Sequence, residues 1–245
     1  MKTQEKINHI KSWISDYVNS MPKKAQSLVI GISGGIDSSV SSTLSAMTGL
    51  KTIVLSMPIK QKSVQHDLSL SHQEWLKKNF SNVEGYTLEL DSLFKTFEGT
   101  LNNFGSEHGM ANSRARLRMT TLYQVAAANN GIVVGTGNKV EDFGVGFYTK
   151  YGDGGVDISP IADCNKTEVW ELGKELGILK EIINAPPTDG LWDDGRTDEG
   201  QLGLSYKELE EAMYNENSVN RDKYNSIRST NLHKMEPIPV CKIPH

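Results

Sequence analysis

Seven consecutive residues near the start of the chain have the composition of a phosphate-binding loop. The sequence Ser-Gly-Gly-Ile-Asp-Ser-Ser occupies positions 33–39. Its two glycines let the backbone approach an anion closely, and its three serines add hydroxyl donors. An ordinary strand-to-helix turn with a serine cap would use similar residues. The predicted phosphate-binding residues are Gly31, Ser33, Gly34, Gly35, Asp37, Ser38 and Ser39.

The flanking residues favour phosphate binding over a simple turn. Positions 27–32 form a short apolar run with β-branched residues, which predicts a buried strand, and a helix is predicted from about Ser38 to Thr48. A helix amino terminus at the carboxyl end of a parallel strand presents unpaired N–H groups to an anion. The loop lacks the Gly-Lys-Ser/Thr ending of a Walker loop, which argues against transfer of the terminal phosphate.

Two carboxylates follow the ends of two different predicted strands. Asp37 comes after the first strand, and Glu141 comes after the strand predicted at 132–134. Because the carboxyl ends of parallel strands share one edge, both side chains could reach one Mg²⁺ ion bound to the phosphates. The alternatives are that Asp37 only complements the helix dipole and that Glu141 is a solvated surface acid.

Strands and helices alternate in the part of the chain that must position these groups. Parallel strands need crossover connections, so the alternation predicts an α/β fold with a doubly wound parallel sheet in three layers, α/β/α. The predicted strands are 27–32, 52–57, 83–88 and 132–134, and the predicted helices are 4–19, 38–48, 64–80, 91–104 and 111–129.

After position 140 the pattern becomes irregular and predominantly helical. A helix is predicted from Glu168 with Thr167 as its cap, followed by a loop at 185–203. Ser205 and Glu208 then form a capping box that begins another helix. We predict a helical C-terminal extension that covers the open edge of the cleft, with the glycine-containing part of the loop as a candidate lid.

The composition excludes several classes of function. The chain has 245 residues, 37% hydrophobic and 23% charged, which predicts a single globular domain over 1–245. Its net charge of −4 does not indicate a positively charged surface for nucleic acid, and no apolar stretch approaches the ~20 residues of a membrane span. Cys164 and Cys241 are far apart and predict neither a disulfide framework nor a metal site. We therefore expect a cytoplasmic protein that binds neither nucleic acid nor membrane.

The loop at 33–39 resembles the pyrophosphate-binding loop of the N-type ATP pyrophosphatases. That resemblance implies cleavage of ATP between its α and β phosphates, which leaves pyrophosphate and an adenylated substrate. Further segments are similar to the bacterial ammonia-dependent NAD synthetases, and the similarity covers nearly the whole chain. These segments are 112–119, 135–138 with Glu141, 147–157, 166–169, 187–192, 198–203 and 233–234.

The resemblance implies an adenine-nucleotide alpha-hydrolase-like (Rossmann-like) fold and a defined reaction. ATP, with Mg²⁺ as the cofactor, would adenylylate the nicotinate carboxylate of deamido-NAD, and ammonia would then displace AMP to give NAD. The synthetase region uses all 245 residues, so we expect no glutaminase domain and free ammonia as the nitrogen source. The resemblance also implies a homodimer with deamido-NAD at the subunit interface.

The resemblance also assigns roles to individual positions. The catalytic residues would be Asp37, Lys166 and Asp153, and the metal ligands would be Asp37 and Glu141. Thr136, Lys166 and Thr188 would join the loop in binding ATP. The residues that would bind deamido-NAD are Asn112, Arg116, Tyr123, Lys150, Asp153, Asp157, His233 and Lys234.

These positions also have plainer interpretations. A lone lysine before a helix and a threonine after two prolines are usually surface and turn residues. Arg116 points roughly 160° away from the helix face that Arg114 and Arg118 share, so a solvated helix is the alternative there. The glycines at 152–155 are also compatible with a hairpin turn.

The chain departs from the family pattern at three places. Met235 stands where the family has an arginine after His-Lys. Ser56 stands where several relatives carry an arginine next to ATP, and Lys60 or Gln61 could substitute for it. The segment 141–146 is one residue longer than in some relatives.

Two other functions are compatible with the same loop. Another N-type ATP pyrophosphatase, such as a tRNA-modifying enzyme, would need a basic surface or a reactive cysteine pair, and the sequence offers neither. A non-catalytic adenine-nucleotide-binding module on the same fold would bind ATP without releasing AMP.

Overall fold

The structure is a computed structural model that describes residues 1–61, 63–192 and 194–244. Its helices and strands follow one another in the alternating order expected from the sequence. The strands are β1 (Ser27–Gly31), β2 (Lys51–Ser56), β3 (Val83–Thr87) and β4 (Gly131–Val133). The α-helices are α1 (Thr3–Ser20), α2 (Ile36–Ala46), α3 (Ser63–Asn79), α4 (Asp91–Thr100), α5 (Glu107–Ala128), α6 (Lys166–Glu175), α7 (Lys180–Asn184), α8 (Asp198–Leu202), α9 (Tyr206–Tyr214) and α10 (Arg221–Met235). A 3₁₀ turn covers Asn102–Phe104, and a π-helix covers Val140–Val145.

The strands form one parallel sheet in the order β3-β2-β1-β4. In its register, Val29 of β1 lies opposite Ile53 of β2 on one side and Val133 of β4 on the other. From β1 the chain first builds β2 and β3 on one side of β1, and it later returns to place β4 on the opposite side. The strand order therefore reverses between β1 and β4, and ligands of open α/β sheets bind at such a switch point.

Helices cover both faces of the sheet, because successive side chains of a strand point to opposite faces. Leu28 and Ile30 pack with apolar residues of α1, α2, α6 and α7, whereas Val29 packs with α4 and α5 on the other face. The predicted α/β/α layering is thus confirmed. Within the described residues, no helix has both the length and the apolar character needed to cross a bilayer.

Several predicted boundaries need correction. Helix α6 begins at Lys166, not at Glu168, because the Glu168 carboxylate accepts a hydrogen bond from the backbone N–H of Asn165 at 2.8 Å and so marks Asn165 as the cap. The helix predicted to reach position 104 ends at Thr100, and the next turn is a 3₁₀ turn.

The loop predicted at 185–203 contains a short helix, α8. Its cap is Thr197, whose Oγ1 accepts a hydrogen bond from the Gly200 N–H at 3.1 Å. The capping box at the start of α9 is confirmed, since the Ser205 N–H donates to Glu208 Oε2 at 2.7 Å and the Glu208 N–H donates to Ser205 Oγ at 3.3 Å.

Candidate active site

A cleft with a volume of about 250 Å³ opens at the switch point between β1 and β4. The loop after β1, the glycines after β4, the first turn of α6 and the segment before α8 supply its walls. Apart from Ser39, every predicted phosphate-binding and ATP-binding residue lines the cleft. These lining residues are Gly31, Ser33, Gly34, Gly35, Asp37, Ser38, Thr136, Lys166 and Thr188.

The loop at 33–38 is held in shape by its own hydrogen bonds and by α3. Ser38 Oγ donates to the Gly35 carbonyl at 3.0 Å and accepts from the Ser33 N–H at 3.2 Å. Gly34 has a φ of +88°, and a β-carbon there would lie 2.6 Å from the Gln65 carbonyl oxygen, so only glycine fits. The loop therefore has a fixed, open curve before any anion enters.

Ser39 differs from the other predicted phosphate ligands. Its side chain is fully buried, and its hydroxyl donates to the Gly35 carbonyl at 2.9 Å. The hydroxyl thus completes a turn of α2 and points away from the cleft. The spacing of the serines alone could not show which hydroxyls face an anion, because residues 38 and 39 lie about 100° apart around the helix.

Lys166 lies between the two carboxylates predicted to bind the metal. Its ammonium nitrogen is 2.5 Å from Asp37 Oδ2 and 2.9 Å from Glu141 Oε1, and the residue is 1% exposed. Burial by itself lowers the pKa of Lys166, but the charges of Asp37 and Glu141 outweigh burial and raise that pKa above its usual value. The second oxygen of Asp37, Oδ1, accepts from Asn138 Nδ2 at 3.0 Å. Lys166 is therefore a charged, buried centre and not a surface lysine.

Glu141 is also connected, through the Tyr206 hydroxyl, to a further buried carboxyl group, that of Asp198. The Tyr206 hydroxyl is 2.5 Å from Glu141 Oε1 and 3.0 Å from Asp198 Oδ2. Burial, and next the charge of Glu141, raise the pKa of Asp198 to about 7. Neither residue was predicted as a site residue; the capping box predicted the start of α9 but not that the Tyr206 side chain turns inward.

The cleft is strongly acidic. Burial raises the pKa of Asp142 to about 8 and that of Asp153 to about 6, and in both cases the nearby Glu141 charge adds to the effect of burial. Asp153 is held by the Thr149 N–H, which donates to Oδ1 at 3.0 Å. Asp142 was not predicted, and its only sequence signal is its position next to Glu141. A polyphosphate beside these carboxyl groups adds negative charge, which a cation would offset.

The predicted deamido-NAD residues gather mainly beside the cleft. Asn112 Oδ1 accepts from the Thr149 hydroxyl at 2.6 Å, and Arg116 Nε donates to the Lys150 carbonyl at 3.2 Å. Both contacts join α5 to the segment before Asp153, and of the predicted deamido-NAD residues only Asp153 lines the cleft itself.

The remaining predicted substrate residues form two smaller contacts. The Tyr123 hydroxyl donates to Asp157 Oδ1 at 3.0 Å, and Asp157 Oδ2 accepts from the Val133 N–H at 2.7 Å, so Asp157 also fixes the end of β4. Lys234 Nζ donates to the Tyr148 carbonyl at 2.6 Å. His233 is exposed on α10 and is not brought into the cleft of this chain.

Comparison with known proteins identifies the family. A model of the NAD synthase family matches residues 6–241. The ammonia-dependent NAD synthetase of Alkaliphilus oremlandii is 40% identical over 217 residues, 86% of this chain and 85% of that protein. The corresponding enzyme of Mesoplasma florum is 36% identical and covers 96% of this chain and 93% of its own length. The chain belongs to the NAD synthase family.

Solved structures agree with this assignment. An NMN synthetase from Francisella tularensis matches with a TM-score of 0.90 and 33% identity over 99% of this chain and 100% of that one. An NH3-dependent NAD synthetase from Campylobacter jejuni, in complex with the nitrate ion, matches with a TM-score of 0.79 and 25% identity over 99% and 100% of the two chains. The resemblance and the Rossmann-like fold predicted from the sequence are confirmed.

In this NAD synthase family member, the structure shows the positions of Ser56 and of the two residues expected to substitute for an arginine there, Lys60 and Gln61. Ser56 is buried and its hydroxyl is 2.8 Å from that of Ser69. Lys60 pairs with Glu98 at 2.8 Å and so is engaged on the surface. Gln61, the other candidate, lines the cleft, and its Nε2 donates to the Ser33 carbonyl at 3.4 Å. Arg118, from α5, also lines the cleft, and its Nε donates to the Met57 carbonyl at 2.9 Å.

The segment after Glu141, expected from the sequence to be one residue longer than in some relatives, adopts the π-helix Val140–Val145, whose hydrogen-bonded turn holds one more residue than that of an α-helix. It ends at Gly146 in the left-handed conformation, with a φ of +68°. A β-carbon at Gly146 would lie 2.8 Å from the Met235 sulfur, so Met235 packs on this helix end. The residue that departs from the His-Lys-Arg pattern is thus a packing residue in this chain.

Proposed function

We propose that the chain synthesises NAD by ATP-dependent amidation of deamido-NAD with free ammonia, through an acyl adenylate. The family match bears out the predicted ligase class and ammonia-dependent NAD synthesis. The observation that supports the mechanism most strongly is the buried Lys166 between Asp37 and Glu141, directly beside the anion loop. That arrangement provides a cation and two carboxylates where the outer phosphates of ATP would lie.

The proposed chemistry requires positioning and charge stabilisation and no side-chain nucleophile. A carboxylate is a poor electrophile, so the nicotinate oxygen would first attack the α-phosphorus of ATP and release pyrophosphate. The N–H groups at 33–38 and the Lys166 ammonium would stabilise the charge on the departing pyrophosphate. Ammonia would then attack the acyl carbon, and AMP would leave. Holding the reactants in line supplies much of the rate gain in such a reaction.

The residues present fit a Mg²⁺ ion. Asp37 and Glu141 both reach the Lys166 ammonium nitrogen, so their oxygens lie close enough to share one cation. Asp198 Oδ1 is buried without a hydrogen-bond partner among the described residues, which leaves a further oxygen beside this group. Among residues 1–61, 63–192 and 194–244, no group of three or more acidic, histidine or cysteine side chains is arranged to hold a metal ion, so Asp37 and Glu141 would hold it together with water. Mg²⁺ suits such a site because it keeps several water ligands, and it would offset the phosphate charge.

A homodimer would complete the deamido-NAD site. Tyr123 and Arg116 lie on the exposed face of α5, beside the cleft and not within it. Large apolar side chains are also exposed on and after the neighbouring α4, where Leu93 is 52%, Phe97 41% and Phe104 80% exposed. A second copy of the chain on this surface would cover the apolar side chains and enclose the dinucleotide.

A mononucleotide is the second candidate substrate. The Francisella tularensis neighbour, with a TM-score of 0.90, is an NMN synthetase. Nicotinate mononucleotide carries the same carboxylate as deamido-NAD, so the same adenylation and amidation would convert it to NMN. The chemistry at Lys166 and the anion loop would be unchanged, and the choice would depend on contacts beyond the nicotinate ribose.

One assay separates these possibilities. The purified chain is incubated with ATP, Mg²⁺, ammonium and either deamido-NAD or nicotinate mononucleotide, and AMP, pyrophosphate and the amidated product are measured by chromatography. We expect AMP and NAD in equal amounts only when deamido-NAD is supplied. Higher turnover with the mononucleotide would identify an NMN synthetase, and ATP binding without AMP release would identify a non-catalytic module.

A further inference from the structure

A buried tyrosine joins the predicted metal site to Asp198, the first residue of α8. The Tyr206 hydroxyl contacts Glu141 Oε1 at 2.5 Å and Asp198 Oδ2 at 3.0 Å, and the residue is 1% exposed. Glu141 Oε1 also receives the Lys166 ammonium group at 2.9 Å. One oxygen of Glu141 is thus held from two sides, and this restrains the carboxylate.

The tyrosine ring has little freedom to move. Lys166 Nζ lies 4.6 Å from the ring centroid, a cation–π distance, and the Trp170 ring packs edge-on with a centroid separation of 6.0 Å. Because the ring is fixed, its hydroxyl has a defined position between the two carboxylates. A phenylalanine would keep both ring contacts and would remove only the hydroxyl.

The same tyrosine connects to the wall of the cleft that carries Thr188. The Asp198 N–H donates to the Pro187 carbonyl at 3.0 Å, and the Tyr206 N–H donates to Glu199 Oε1 at 3.0 Å. Asp198 therefore links Tyr206 to the residue directly before Thr188. A shift of this wall at Pro187 would be transmitted to Glu141 through three hydrogen bonds.

We infer that Tyr206 is a positioning residue that fixes the Glu141 carboxylate for metal binding and couples it to the cleft wall at 187–191. The inference rests on the proposed function, in which Glu141 binds the metal. Groups that orient a metal ligand typically contribute 10–100-fold to metal affinity. Removing the Tyr206 hydroxyl should therefore weaken metal binding without unfolding the chain.

The test measures Mn²⁺ binding by electron paramagnetic resonance, with the full chain and α,β-methylene-ATP, which cannot be cleaved between its α and β phosphates. We expect Tyr206→Phe to bind Mn²⁺ at least tenfold more weakly than the wild type. The matched control is Tyr214→Phe on the same helix, because the Tyr214 hydroxyl donates to Asn165 Oδ1 at 2.9 Å outside the cleft. The control should bind Mn²⁺ as the wild type does.

A double-mutant cycle separates positioning from a general effect on folding. In a Glu141→Gln background, Tyr206→Phe should cause no further loss of Mn²⁺ affinity, whereas a folding defect would lower affinity in both backgrounds. Equal Mn²⁺ binding by wild type and Tyr206→Phe, or additive losses in the cycle, would overturn the inference alone. A wild-type chain that binds no Mn²⁺ would overturn the metal assignment of the proposed function as well.

Discussion

At the scale of single residues, Lys166 explains how two carboxylates can lie together in a buried cleft. Asp37 and Glu141 would repel each other there, and burial raises the pKa of Asp37, an effect that the Lys166 charge opposes. The ammonium group binds both and offsets part of their negative charge. Asp37 and Glu141 would hold a metal ion that supplies further positive charge, and Lys166 would then be available to contact phosphate.

Replacing Asp37 tests this arrangement. Asp37→Asn removes one carboxylate charge and a partner of Lys166, so we expect kcat/KM for NAD formation to fall by about 100-fold or more. The rate is measured with a dehydrogenase-coupled assay, and the fold by circular dichroism. Asp163→Asn is the control, because Asp163 pairs with Lys139 at 2.9 Å and its side chain is 97% exposed. Full activity of Asp37→Asn would remove both the metal and the catalytic assignments.

Glycine substitutions test the shape of the anion loop. Gly34→Ala places a β-carbon 2.6 Å from the Gln65 carbonyl oxygen at a φ of +88°. Gly49→Ala has a similar φ of +78° with no atom within 4 Å of the new carbon, so it isolates the backbone strain of about 1 kcal/mol. We expect Gly34→Ala to lose more unfolding free energy than Gly49→Ala in urea titrations, and only Gly34→Ala to lose ATP affinity. Equal effects would show that the close approach to α3 is unimportant.

At the scale of elements, a buried histidine joins the helix that carries the anion loop to the next helix. His72 of α3 is fully buried, with Nε2 2.9 Å from the Ser42 hydroxyl of α2. Burial lowers the pKa of His72 to about 4. The contact between these helices therefore depends on a neutral imidazole, and this places a pH limit on the element that positions Asp37.

The pH dependence of stability follows from this shift. The unfolded chain binds a proton at His72 below pH 6.5, whereas the folded chain does so only near pH 4. The contribution of neutral His72 to the free energy of unfolding is therefore complete above pH 6.5. It is lost as pH falls, by about 3 kcal/mol at pH 4. Urea unfolding between pH 7.5 and 4.5 measures this dependence of the unfolding free energy on pH. His72→Gln should flatten the dependence in this range, and substitution of the exposed His9 by Gln should leave it unchanged. An unaltered pH dependence in His72→Gln would contradict the lowered pKa of His72.

At the scale of the whole molecule, the proposed dimer predicts a mass near twice the 27.1 kDa of the chain. Phe97→Arg places a charge on the surface of α4 proposed to meet the second copy, so we expect dissociation and a higher KM for deamido-NAD. Sedimentation velocity measures the mass. Val219→Arg is the control, because Val219 is 97% exposed between α9 and α10. A wild-type monomer with full activity would exclude the interface.

Short-range patterns in the sequence were sufficient for the fold and for part of the site. Alternation of apolar runs with helical periodicity placed every strand of the sheet, since each signal depends on neighbouring residues. The glycines and serines after β1 likewise predicted a loop that does line the cleft. The resemblance added Lys166, Thr136 and Thr188, which no local pattern would have selected.

Contacts between distant residues were decided by the tertiary structure alone. Tyr206 and Glu141 lie 65 positions apart, and Lys166 and Asp37 lie 129 apart, yet both pairs are within 2.5 Å. Helical spacing predicts neither of these contacts. The spacing gives the relative angles of side chains on one helix, but not which face of the helix packs against its neighbours. Burial then set the protonation of these groups, since desolvation exists only once the elements have packed.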